Sequence, residues 1–213
     1  ENAHGKNIAI GKDALLALDA GADAYNIAIG HQAGLSITTG TENTIVGGLA
    51  GDAMTIGNQN VALGYASLGA NVAADRNVAV GHSALSNMTS ATTSDTYNTA
   101  VGFYAGQAIT SGTQNVIVGG LAGDALTTSA GNVAMGYQSL SAQETHGTNT
   151  AIGYRTLKNQ NTSSYSHNVA VGYDAGLSIT TATQNTIIGG LAGDALTTGS
   201  ENIALGYQAL STE

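Results

Sequence analysis

The 213-residue sequence has no proline, cysteine or tryptophan and only one phenylalanine. The absence of cysteine suits a protein that works outside the cell without thiol chemistry. Charged residues make up only 9 % of the chain, which argues against long charged helices. Asparagine, threonine, serine, alanine and 30 glycines fill the positions that lysine and glutamate usually take.

Positive charge and long apolar runs are also scarce. Five Lys and Arg residues stand against fourteen Asp and Glu, a formal net charge of -9, which argues against a sequence-independent affinity for nucleic acid or anionic lipid. No stretch approaches the roughly 18–20 apolar residues that a membrane-spanning helix needs, and no apolar leader opens the chain. We therefore expect no nucleic-acid partner and no membrane insertion in this segment.

A five-residue pattern, Asn-x-[Ala/Ile]-aliphatic-Gly, recurs along the whole chain. Its spacing is 17 residues, lengthened three times to 19 or 21, which is too short for helix-pair repeats and typical of one solenoid coil. The sequence therefore predicts an all-β fold: a parallel β-solenoid of about twelve 17-residue coils that forms a single repeat domain over residues 1–213. The twelve coils begin at Asn7, Asn26, Asn43, Asn60, Asn77, Asn98, Asn115, Asn132, Asn149, Asn168, Asn185 and Asn202.

Each coil is expected to hold two short strands and two turns, stacked at about 4.8 Å, so that the rod is on the order of 55 Å long. The third residue after each Asn is always a large aliphatic, as in Ile29, Val118 and Leu205, and we expect this row to be buried. The residue before it is Ala in nine coils and Ile in three, and it points to the opposite face. Because both faces of the strand are apolar, we expect the second face to pack against other copies of the chain.

The second half of the coil predicts how the interior is filled. Eight residues after the Asn stands either Leu or Gly, and every Gly coil has a large aliphatic three residues later, as Gly106 has Ile109. In Leu coils the later position is often polar, although Leu18 and Met88 depart from this rule. Each coil thus supplies an apolar plug from one position or the other, because a thin core has little room for both. The repeating Asn is expected to form an amide ladder at a turn, and the Gly four residues later a corner with positive φ or close backbone approach.

A longer period of about 70–72 residues is superimposed on the coils. All three insertions fall in the fourth coil of this super-repeat, at roughly residues 17–25, 86–97 and 158–167. Insertions in a solenoid form loops on one face, often the binding face, so these loops are the candidate surface-binding sites, with tolerated surface length as the alternative. The candidate residues are Asp19, Asp23, Tyr25, Thr92, Asp95, Tyr97, Asn161, Tyr165 and His167.

An aromatic column forms a further candidate. Tyr or Phe recurs one residue after the corner Gly, with two His in the same register, and such an outward stack either binds sugar rings or shields the coil edge. The column comprises His31, Tyr65, His82, Phe103, Tyr137, Tyr154, Tyr173 and Tyr207.

The sequence shows no convergent catalytic chemistry. Asp52, Asp124 and Asp194 occupy equivalent positions but lie about 19 Å apart by coil counting, too far to share a proton or a metal. No His pair has metal-ligand spacing, and the Gly-rich segments lack the phosphate-loop Lys. We expect no catalytic residue, no metal site and no cofactor, and a protein that is not an enzyme.

The Asn-x-Ala-[Val/Ile]-Gly coils, such as 26–30, 98–102 and 168–172, resemble the head repeats of YadA-like trimeric autotransporter adhesins. The 17-residue length and the phrases at 33–40 and 193–199 resemble more closely the repeats of bacteriophage tail fibres, including those of cyanophages. The resemblance covers the whole chain and implies a left-handed β-roll in a homotrimer with a role in surface binding. The YadA-like repeat is shorter than 17 residues, so phage fibre and bacterial adhesin both stay open.

Three functions follow as expectations. The leading one is a structural and adhesive segment of a trimeric extracellular fibre, most readily a piece of a longer phage tail-fibre protein that takes part in host attachment. Its expected partners are other copies of the same chain and a host cell-surface glycan or protein. The alternative is the head of a bacterial trimeric adhesin, on the cell surface rather than the virion. An ice-binding solenoid is the weakest of the three, because the Thr pairs that suggest it, such as Thr38 and Thr39, are interrupted by Ala73 and Ala74.

Overall fold

The computed structural model describes residues 5–90 and 94–212 and has an all-β fold without a helix in those two ranges. It is a parallel β-solenoid of about eleven turns, as the 17-residue period predicts. Each coil contributes one three-residue strand to a twelve-stranded sheet, and a separate two-stranded sheet pairs β5 with β7. The strands are β1 (Ile8–Ile10), β2 (Ile27–Ile29), β3 (Thr44–Val46), β4 (Val61–Leu63), β5 (Ala74–Asp75), β6 (Val78–Val80), β7 (Ser94–Asp95), β8 (Thr99–Val101), β9 (Val116–Val118), β10 (Val133–Met135), β11 (Thr150–Ile152), β12 (Val169–Val171), β13 (Thr186–Ile188) and β14 (Ile203–Leu205).

The register of the large sheet is the same in every coil. Equivalent residues pair in parallel, so Ile27 lies beside Thr44 and Ala28 beside Ile45. The pairing keeps this register across the three longer coils, as between β6 and β8. The inserted residues therefore lie outside the sheet, and the rod is continuous through them.

The second strand expected in each coil is absent from the described residues, except for the short β5–β7 pair. In its place a run of turns returns the chain, and the turn backbone bonds to the next coil: Gly34 N–H donates to the Ala50 carbonyl at 2.9 Å, and Leu85 N–H to Ala105 at 3.1 Å. Residues six and eight positions after the Asn have positive φ, for example Tyr104 at 55°. Such φ values are incompatible with an extended strand, which is why a turn replaces it.

The expected direction of the strand side chains is wrong. The middle residue, Ala or Ile, points into the coil and is fully buried in β2 to β13, whereas the aliphatics on either side point outward. Ile29, Met135 and Ile152 are 36–38 % exposed. The sequence argument placed the row of large aliphatics inside, but the plug from the opposite side fills much of the thin interior. The room left beside the strand holds Ala in most coils and Ile in β3, β9 and β13.

The alternating plug is confirmed in most coils, but in the coil that begins at Asn77 both plug positions, Leu85 and Met88, are fully buried. Leu68, Leu140 and Leu157 are fully buried in Leu coils, and the later aliphatic, such as Ile109, is fully buried in Gly coils. A Cβ placed on Gly106 would lie 2.9 Å from Ile117 Cδ1, 3.0 Å from Leu85 Cδ2 and 3.2 Å from Ile109 Cδ1. Side chains of the two neighbouring coils thus fill the space around Gly106, as they do around Gly34 and Gly176. Around Gly51, Gly123 and Gly193 the nearest side chains belong to the same coil.

Candidate functional site

A ladder of buried asparagines runs along the inside of the sheet. In most coils the side-chain Oδ1 accepts from both the backbone N–H and the Nδ2 of the next Asn; Asn98 Oδ1 accepts from Asn115 at 3.1 and 3.0 Å. The Nδ2 of Asn115 also donates to the Ser129 carbonyl at 2.9 Å. Asn149 differs, because its Nδ2 has no hydrogen-bond partner. The asparagines themselves do not have positive φ, whereas the residue before each one from Asn26 onward does, as Gln114 at 59°.

The first two insertion loops share one arrangement of cation, carboxylate and tyrosine. Lys6 lies 2.7 Å from Asp23 and 5.3 Å from the centre of the Tyr25 ring. Its hydrogen bond to Asp23 is the main cause that raises the pKa of Lys6. The carboxylate of a loop predicted to bind a ligand is therefore already paired within the chain.

Arg76, Asp95 and Tyr97 repeat that arrangement in the second loop. Arg76 pairs with Asp95 and lies 5.8 Å from the Tyr97 ring, and Tyr97 donates its hydroxyl to Asp95 at 3.0 Å. Thr92, another predicted site residue, lies outside the described residues. In the first loop the backbone N–H of Asp19 donates to Thr38 at 2.9 Å.

The third loop lacks the ion pair. The ring of Tyr165 stacks on His167, with centroids 6.3 Å apart, and meets His146 edge-on at 5.7 Å. Asn161 makes one long hydrogen bond to Glu144, at 3.4 Å. Tyr165 is 62 % exposed, so this loop presents the most open aromatic of the three.

The aromatic column forms two stacks on the outer edge of the coils. Tyr65, His82 and Phe103 make the first, with ring centroids 5.2 and 5.5 Å apart. The second stack consists of Tyr137, Tyr154 and Tyr173, with centroids 5.6 and 5.2 Å apart. Successive rings are one coil apart, so each ring turns a face toward the next along the rod.

An ion pair that sequence reasoning missed lies beside the second stack. Arg155 holds Asp174 through two hydrogen bonds, Nε to Oδ1 at 2.9 Å and Nη2 to Oδ2 at 2.5 Å. The Asp174 side chain is buried, and the guanidinium lies 5.0 Å from the Tyr154 ring. The hydrogen bond to Asp174 is the main cause that raises the pKa of Arg155. The coil register could have revealed the pair, because both residues stand six positions after their Asn.

The threonine positions are engaged with the backbone. Thr38 and Thr110 donate their hydroxyls to the carbonyls of Thr55 and Thr127 in the following coil, at 3.2 and 3.3 Å. Thr127 does the same to Glu144 at 2.8 Å. These hydroxyls stabilise the coil stack rather than forming a free array.

The three equivalent aspartates are half-buried and separate from one another. Burial raises the pKa of the Asp124 carboxyl, opposed by its backbone N–H and the charge of Lys158, and burial likewise raises the pKa of Asp52. The Oδ1 atoms of Asp124 and Asp194 are buried without a hydrogen-bond partner. The described residues contain no group of three His, Cys, Asp or Glu that could hold a metal ion.

A raised carboxyl pKa predicts that Asp124 lowers stability at neutral pH. The folded state binds the proton more tightly than the unfolded state does. The free energy of unfolding therefore decreases as the pH rises from the unfolded pKa of about 3.8 through the folded pKa, and above the folded pKa the loss of stability is complete. Asp124→Asn keeps the acceptor oxygen and should melt at a higher temperature than the parent at pH 7, with no difference near pH 3. Melting curves across this range check the sign, and a stabilisation that is equal at both pH values would contradict it.

No long apolar helix that could span a membrane is found among the described residues. The comparisons with known proteins return nothing: no family model, no curated protein and no solved structure matches this chain.

Proposed function

We propose that the chain is a structural and adhesive segment of a trimeric extracellular fibre, most readily a phage tail fibre that takes part in host attachment. The observation that carries this proposal is the outer face of the twelve-stranded sheet. Its two outward rows contain 24 side chains, of which twenty are aliphatic, four are Thr and none is charged. A stable isolated rod has no need of such a face, whereas an assembly of rods does.

The size of the face supports self-association. Two rows about 7 Å apart over a rod of about 50 Å give an apolar strip of roughly 350 Å². Strips of this size on a soluble surface mark interaction sites. The strip is straight and has the same spacing as any other copy of the chain, so a parallel second and third copy match it coil for coil. The number three rests on the resemblance to trimeric fibre repeats.

The adhesive part of the proposal rests on the loops and the aromatic column. Three insertion loops lie about 19 Å apart along the rod, one for every four coils. In a trimer each exposed loop and aromatic column would be present three times, so several weak contacts would act together in attachment. The third loop, with Tyr165 and His167 free of an ion pair, is the one best suited to an outside ligand.

Oligomeric state is the direct test. In light scattering coupled to size exclusion, the chain should elute with three times its 21.1 kDa mass. The double variant Met135→Lys, Ile152→Lys places two charges on the apolar strip and should give monomers, because burying unpaired ammonium groups costs several kcal/mol. Thr128→Lys, an exposed position off the strip, is the matched control and should leave the trimer intact. A monomeric parent chain would overturn the proposal.

A further inference from the structure

The aromatic column is interrupted at regular intervals by glycine. At Gly48, Gly120 and Gly190 the column position carries no side chain, and each of these glycines lies in the same coil of the four-coil super-repeat. The rings on either side are one coil below and one coil above. We call the three spaces ring slots; they lie between His31 and Tyr65, between Phe103 and Tyr137, and between Tyr173 and Tyr207.

Among the described residues, no ring contact joins the two rings that border a slot; Tyr65, Tyr137 and Tyr173 each stack on one ring, on the side away from the slot. Tyr154, which has a ring stacked on both faces, is 40 % exposed, whereas Phe103 and Tyr173, which border slots, are 52 % and 56 % exposed. Among the described residues no ring contact crosses Gly120: Phe103 pairs only with His82 and Tyr104, and Tyr137 only with Tyr154. No other ring of the column therefore stands between Phe103 and Tyr137 at the glycine.

The gap between Phe103 and Tyr137 is wide enough to hold one inserted ring. Two coil spacings place Phe103 and Tyr137 about 10 Å apart along the rod. A flat aromatic ring in contact with both faces needs only about 7–8 Å. The puckered pyranose ring, whose axial hydrogens point toward each face, is thicker and fills this gap more completely.

The chemistry of the slot walls also favours a sugar. The tyrosine hydroxyls at the outer edge can bond to sugar hydroxyls while the ring faces contact the C–H groups. The net charge of -9 disfavours the bases of a nucleic acid, whose phosphates would be repelled. We propose that each ring slot binds one pyranose ring, so that the rod has three sugar sites at the same position of the super-repeat, about 19 Å apart. This inference deepens the proposed function by naming the ligand class, and it rests on that function only for its biological role.

Backbone geometry allows the slots to be filled without disturbing the fold. None of the three glycines has a positive φ, and a Cβ on Gly120 would lie 3.6 Å from Tyr137 Cδ2, an ordinary contact. Tyrosine already occupies the same position in five other coils. The triple variant Gly48→Tyr, Gly120→Tyr, Gly190→Tyr should therefore fold normally and continue the stack through all three slots.

Saturation-transfer NMR with methyl β-D-glucopyranoside, methyl β-D-galactopyranoside and methyl N-acetyl-β-D-glucosaminide tests the proposal, with adenosine as the flat aromatic probe. We expect at least one glycoside to bind the parent in about the millimolar range. The triple variant should bind it at least about tenfold more weakly, since two ring contacts are lost at each site. Tyr154→Gly should open a fourth slot between Tyr137 and Tyr173 and raise the number of sites per chain from three to four.

Tyr165→Ser is the matched control, because Tyr165 is an exposed aromatic outside the column, and it should bind as the parent does. The proposal is overturned if no glycoside binds, if only adenosine binds, if the triple variant binds like the parent, or if Tyr165→Ser loses binding while the triple variant keeps it. Light scattering on the same samples separates the two proposals. A trimer without sugar binding leaves the fibre proposal standing, and a monomer that binds sugar leaves the slots standing.

Discussion

Gly119→Ala is expected to destabilise the rod by at least about 3 kcal/mol, whereas Gly120→Ala, one residue later, should change stability by less than about 0.5 kcal/mol. Gly119 has φ of 135°, and a Cβ there would lie 2.6 Å from the carbonyl oxygen of Gly136 in the next coil. Gly120 has neither feature: its φ is not positive, and its nearest neighbour would be at 3.6 Å. Comparing the two variants therefore shows whether a glycine is required by the backbone conformation and close approach at its position, or only happens to lack a side chain there.

Urea denaturation followed by circular dichroism, at one fixed protein concentration, measures both variants. Because each coil touches only its neighbours, the Gly119 variant should also lose cooperativity, with the segments on either side of the coil unfolding separately. Hydrogen exchange should locate the break between residues 119 and 136. Equal unfolding free energies for the two alanine variants would show that the coil corners relax easily and would contradict the close-approach argument.

Asn115→Leu is expected to cost about 2–6 kcal/mol. The change leaves two buried groups without a partner, the backbone N–H of Asn132 and the carbonyl of Ser129, which Asn115 binds at 3.0 and 2.9 Å. Each orphaned buried group costs about 1–3 kcal/mol. Leucine has the same branching and the same number of side-chain heavy atoms as asparagine, but its two methyl groups make it larger. Overpacking therefore adds to the cost of the lost hydrogen bonds.

Asn161→Leu is the control for that substitution. Asn161 is exposed and makes a single side-chain hydrogen bond of 3.4 Å, so its replacement should change the unfolding free energy by less than about 0.5 kcal/mol. In the Asn115 variant the amide of residue 132 should also exchange faster with solvent. If the two leucine variants are equally stable, the ladder does not contribute the expected energy.

The coil unit was predictable because its constraints repeat. The 17-residue period, the alternation of Leu and Gly plugs and the requirement for glycine at the corner each follow from residues such as Gly102 or Leu85 that recur in the same register. A single copy of the motif would not have predicted the fold. Twelve copies with the same spacing exclude other folds, because only stacked identical coils keep equivalent residues in contact.

The candidate sites were harder to predict than the coil. The sequence places Asp23, Asp95 and Tyr97 in surface loops, but it does not show that Lys6 and Arg76 from the preceding coil neutralise the two carboxylates. The glycine gaps in the aromatic column were visible in the sequence. Their meaning depends on the rings facing along the rod, and that orientation is a property of the stacked coils.

By itself the sequence determined that the chain is a stack of parallel coils with an asparagine ladder, glycine corners and an apolar plug in each coil, because these features follow from the repeat period and the residue types. The tertiary structure decided which side of the strand faces inward. The size of Val118 and its equivalents in the other coils predicted that this row is buried. The interior beside the strand is narrow, however, and holds only the middle strand residue, Ala or Ile. The large aliphatics therefore lie on the outside, where they form the strip that calls for partner chains.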